Sequence, residues 1–193
     1  MLPTSYLGRV SLVLTAAAVF GVALSVIKGN GDGVRDAVGN LSAPWLLLPF
    51  LAGALLGRRR AATAAVAGWA TCMVALAAFY LANVWVLDLG PHSLLTDVRL
   101  TFSAGRRYLL LGFVAGPVMG TVGGAWRRTG STMLAMGAAS TLLLEPFAWL
   151  AYQAGSRATY AYPRGVWAAE MILGAGLCAV VGRGNWRLSL RRS

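Results

Sequence analysis

The sequence predicts an all-α protein, a polytopic membrane helix bundle of six transmembrane helices with both termini cytoplasmic. Three observations carry that reading. The chain is 58% hydrophobic and 12% charged with a mean hydropathy of +0.65, too little polar surface to close around a water-soluble core. Apolar runs of about bilayer length recur at 10–27, 41–57, 61–87, 106–126, 131–152 and 163–181. Arginine clusters alternate along the chain with loops that hold the aspartates, which separates a cytoplasmic side from an external one. All 193 residues therefore read as a single integral membrane domain.

The first run, Val10 to Ile27, follows Arg9 and ends at Lys28-Gly29-Asn30. A secretory signal peptide is the alternative, but 18 apolar residues exceed a usual signal core and five further spans follow, so a retained helix is expected. Gly29 to Asn40 reads as an external loop. The second run begins near Pro44 and Trp45 and stops at Arg58, Arg59 and Arg60, the strongest cytoplasmic signal in the chain. The third run outlasts the bilayer and must tilt or project, with Tyr80, Asn83 and Trp85 toward its far end. From Asp88 to Gly105 the chain reads either as an ordinary loop or as a short interfacial helix over Ser93 to Phe102.

Arg106 and Arg107 open the fourth run, which carries Gly112, Gly116, Gly120 and Gly124. A glycine at every fourth position leaves one helical face smooth, the signal for close packing against a neighbour, including a membrane partner. Arg127 and Arg128 return the chain to the cytoplasm before the last two runs and a basic tail. By side, ten Lys and Arg fall inside and seven outside, while Asp32, Asp36, Asp88 and Asp97 all fall outside. Leu46 to Gly57 and Leu109 to Gly120 echo each other, as a duplicated hairpin would.

The net charge of +11 does not imply nucleic acid, because the basic residues flank apolar spans. No metal or cofactor is expected: Cys72 and Cys178 sit inside spans and the lone His92 sits in a loop, too few ligands for zinc. Catalytic signatures are missing too. There is no His-Glu-x-x-His helix, no mid-span Asp pair and no phosphate loop, so an enzyme is the weaker reading.

The acids within apolar sequence are Glu145 and Glu170. Glu145 lies seven residues before Tyr152, and Glu170 six residues after Arg164, placing both carboxylates roughly 10 Å below the outer interface at 1.5 Å per residue. Glu145, Trp149 and Tyr152 share one helical face, as do Trp167, Glu170 and Gly174. Pro146 removes a backbone hydrogen bond beside Glu145 and is expected to kink the helix. A carboxylate at this depth costs about 2.5–3.5 kcal/mol to insert, so it must face the bundle, a wet cavity or a cation. Arg106 and Arg107 are the expected partners. With Trp149, Tyr152, Trp167, Tyr80 and Asn83 they define a candidate outer pocket for a small polar ligand. The alternative is a salt-bridged core with an interfacial aromatic belt.

The Glu145-Pro-Phe-Ala-Trp149 block, the Trp167-Ala-Ala-Glu170 block and Ser42-Ala-Pro-Trp45 resemble those of an actinobacterial family of integral membrane proteins of roughly 200 residues and no assigned function. That resemblance implies a six-helix membrane fold and no activity. In architecture the chain is also similar to the substrate-binding membrane subunits of energy-coupling-factor transporters, which bind small molecules in the outer half. Their Ala-x-x-x-Ala contact motif is absent, the nearest pattern being Ala17, Gly21 and Ser25. The leading expectation is a small-solute binding or uptake subunit of the plasma membrane. A proton-coupled small-molecule transporter follows, then a non-catalytic structural or assembly protein, and last a lipid-acting enzyme.

Overall fold

Apolar runs separated by glycine and arginine breaks fold as helices throughout the computed structural model. It describes residues 4–29, 33–57, 60–87, 93–155 and 163–189, with residues 4, 5, 152, 153, 155 and 183–189 described in backbone only. In chain order the helices are α1 (Thr4–Lys28), α2 (Val34–Gly39), α3 (Ala43–Leu56), α4 (Ala61–Val86), α5 (Leu94–Ala104), α6 (Arg106–Thr129), α7 (Thr132–Gly155) and α8 (Arg164–Ser189). Six helical stretches are long and apolar enough to cross a membrane, the second formed by α2 and α3 together. The six expected runs each coincide with one of them, extended by up to two turns at the ends.

One segment differs from the sequence expectation, and a second, left open between two readings, is helical. The stretch read as an external loop before the second run contains α2, and Arg35 on it donates to the carbonyls of Ile27 at 3.0 Å and Val26 at 2.9 Å. Those are orphan acceptors at the C-terminal end of α1, so the helix folds because it closes the one before it. The stretch left open as loop or helix after Asp88 contains α5, whose N-cap Ser93 accepts from the Thr96 amide. The arginines at 58 and 59 and His92 lie outside the described residues.

The interior is organised around α4, which packs against α1, α3, α5 and α6. The contact of α6 with both α4 and α3 is backbone against backbone. A Cβ added at Gly120 would overlap the Ala64 carbonyl oxygen, one at Gly53 the Gly120 carbonyl oxygen, and one at Gly123 that of Phe50. Only glycine permits this approach, which brings dispersion contacts that lipid tails cannot match. The stripe Gly112, Gly116, Gly120 and Gly124 is thus buried against Leu76, Cys72, Gly68 and Ala64 of the same chain. Its packing signal is answered by α4 within the chain.

On the other side of α4, an aromatic ladder runs through Phe20, Trp45, Phe79, Tyr80 and Phe102, with successive ring centroids 5.3, 5.5, 5.3 and 5.7 Å apart. Edge-on geometry of this kind adds to the burial of large rings. The Ala17–Gly21–Ser25 face of α1 is also buried against α4: Gly21 meets Ala75, and the Ser25 hydroxyl donates to Asn83 Oδ1 at 2.7 Å. The last two helices form a hairpin to one side. There α8 touches α7 and α2 among the described elements.

Candidate functional site

The hairpin brings Glu145 and Glu170, the two acids within apolar sequence, together. At Gly174 a side chain would collide with Leu142 and Leu143, so α8 lies close against α7 at that level. One turn away on each helix stand Glu170 and Glu145. The titratable group that faces the Glu170 carboxyl, within hydrogen-bonding reach, is that of Glu145. Their shared depth in the sequence therefore corresponds to a shared location.

The two carboxylates are bonded unequally. Glu145 Oε1 accepts from the Ser42 amide and Oε2 from the Ala43 amide, both at 2.5 Å. These are the first amides of α3, a helix whose N-cap Ser42 makes no side-chain cap bond and whose Pro44 lies in the first turn. An uncapped helix start presents orphan N–H groups and the positive end of its dipole, and Glu145 supplies the missing acceptor. Glu170 is 2% exposed, and neither of its oxygens meets a donor. A hydrogen bond between two carboxyl groups requires a proton on one of them.

An apolar and aromatic cluster joins the same helices. Ala37 and Val38 of α2, Leu41, Trp149 of α7, and Val166 and Trp167 of α8 pack as one cluster. Within that cluster Trp149 is one helical turn from Glu145 along α7, and Trp167 one turn from Glu170 along α8.

Other expected site residues are elsewhere. Arg106 and Arg107 are exposed at the start of α6, and Arg107 donates to Tyr108 Oη and lies over that ring, 4.9 Å from its centroid. Among the described residues the ion pair is Lys28–Asp36, at 3.9 Å. The expected guanidinium–carboxylate pairing is therefore replaced by backbone amides on Glu145. Asn83 is bonded to Ser25, and Tyr80 belongs to the aromatic ladder, where Gly105 makes room for its ring. The side chain of Tyr152 lies outside the described residues. Sequence reasoning missed Ser42 and Ala43 as site residues because their contribution is main-chain N–H. Pro44, which marks a helix start at this point, was the available signal.

The fold defines an all-helical protein with six apolar helices of membrane-spanning length, in which a half-buried Glu145 stands beside a buried Glu170. The chain belongs to a family of unknown function (DUF6518), whose model matches residues 2–190. No curated protein and no solved structure matches it.

Proposed function

We propose that the protein is a multi-pass plasma membrane protein, both termini cytoplasmic, that binds and transports a small amine in exchange for a proton at the Glu145–Glu170 pair. The observation that carries this reading is a buried Glu170 carboxyl with no donor, facing a second carboxyl that is itself bonded to a helix start. Such a pair lacks one hydrogen. A proton supplies it, and so does a primary ammonium group, which donates up to three hydrogen bonds. Trp149 and Trp167, one helical turn from the two acids, add faces that favour an organic cation. A metal ion is the poorer occupant, because two amides and the positive end of α3 already point at Glu145. Intramembrane acids of this kind serve proton relays and substrate paths in transporters. Arginines on the turns after the second and fourth spans support the assigned sidedness.

Proteoliposomes holding a pH-sensitive dye test the proposal with a panel of small primary and quaternary amines. An outward amine gradient should drive proton movement through the wild type, and Glu170→Gln should abolish it. Proton movement no greater than in protein-free vesicles, across the panel, would overturn it.

A further inference from the structure

A second site lies at the opposite end of the bundle. α1 and α4 approach most closely where Gly21 meets Ala75, and toward the start of α1 they leave a cleft of ≈350 Å³. That volume is at the lower end of the roughly 300–1,000 Å³ of small-ligand pockets. Tyr6, Val10 and Leu14 form the α1 wall, at intervals of one helical turn. On α4 the wall runs from Ala62 and Thr63 to Ala70 and Thr71, and Leu56 closes the end of α3 against it.

The lining is apolar except for hydroxyls. Thr71, at the deep end, is fully buried and its Oγ1 has no hydrogen-bond partner. Two exposed arginines flank the lining in the chain: Arg9 is next to Val10 on α1, and Arg60 is the N-cap of α4, two residues before Ala62. An apolar cleft between membrane helices with guanidinium groups flanking its lining complements one kind of molecule, an acyl chain joined to an anionic headgroup.

We infer that this cleft holds one anionic phospholipid of the cytoplasmic leaflet, its acyl chain between α1 and α4 and its phosphate at Arg9 and Arg60. Guanidinium groups pair bidentately with phosphate, and a zwitterionic lipid would offset that gain with its own ammonium group. The inference rests on the bilayer-spanning part of the proposed function and is independent of the carboxylate pair.

The test uses the full chain in detergent, incubated with equal phosphatidylglycerol and phosphatidylcholine and read by native mass spectrometry. One phosphatidylglycerol should be retained in preference. Arg9→Gln and Arg60→Gln should each lower that preference about fivefold, the weight of one basic residue at an anionic surface. Ala62→Trp, which fills the cleft from its exposed edge, should lower retention of both lipids. A photoactivatable acyl-chain phosphatidylglycerol should label peptides containing Thr63 and Val66 in the unsubstituted protein, so the result does not depend on the variants folding. Equal retention of the two lipids, or labelling spread evenly over all spans, would overturn the site. A chain that fails to float with liposomes would instead overturn the membrane reading itself.

Discussion

The carboxylate of Glu145 on α7 is the N-terminal cap of α3, bonded to the Ala43 amide across more than a hundred residues of chain. This long-range cap takes the place of a local one, since the Ser42 side chain makes no cap bond. Truncation should therefore be costly. Glu145→Ala leaves two amides without an acceptor and should destabilise the fold by about 2–4 kcal/mol, with Glu145→Gln, which keeps one acceptor oxygen, losing about half as much. Thermal unfolding in detergent checks both. Equal stability of Glu145→Ala and the wild type would show that the cap contributes nothing.

Glu170 should behave in the opposite way. Its oxygens have no donor in the folded state, so Glu170→Gln, which brings an N–H donor toward Glu145, should leave stability unchanged or raise it by up to about 1–2 kcal/mol. The same substitution should remove amine-driven proton movement. A variant that unfolds readily would identify Glu170 as a structural residue.

The glycines divide into two groups with opposite expected effects. Gly120→Ala and Gly123→Ala place a methyl group on a neighbouring backbone and should cost about 2–4 kcal/mol or prevent folding. Gly137, inside α7, has nothing within 4 Å of the position a Cβ would take. Gly137→Ala should therefore stabilise the helix by about 0.5–1 kcal/mol. Parallel denaturation of the three variants in mixed micelles is the measurement.

Ser25 and Asn83 join α1 to α4 through a buried hydrogen bond, with exposures of 0% and 3%. In a double-mutant cycle with Ser25→Ala and Asn83→Ala, the coupling should be about 0.6–1.7 kcal/mol, the range of side-chain bonds between membrane helices. A coupling of zero would mean that both groups find other partners when separated.

Hydropathy alone located the spans because burial in lipid demands runs of apolar residues, and a helix must satisfy its own backbone there. It marked the two acids within those runs for the same reason. It did not locate their partners. Tyr80 and Asn83 were expected at the depth of Glu145, yet Tyr80 meets Phe102 of α5 and Asn83 bonds Ser25 of α1, since position along a helix does not determine direction around it. Arg106 and Arg107 were the available charges for pairing, whereas the groups that bond Glu145 belong to the main chain and have no letter in the sequence. α2 was missed because a six-residue helix shows too little periodicity to be read, and its reason for folding is the contact between Arg35 and the end of α1.

The glycine seam and the hairpin differ in kind. Where α3, α4 and α6 meet backbone to backbone, there is no side-chain layer to rearrange, so those helices form a stiff slab. α7 and α8 hang from that slab through Gly130, a left-handed residue at φ 65° with open space around it, a joint that an L side chain would strain. Glu145 fastens that hairpin to the near end of α3, and Glu170 stands beside it on the hairpin's other helix. An occupant that draws Glu145 away from α3 would undo this fastening, leaving the packing of α7 on α3 and α6, and of α8 on α2, to hold the hairpin against an unaltered slab.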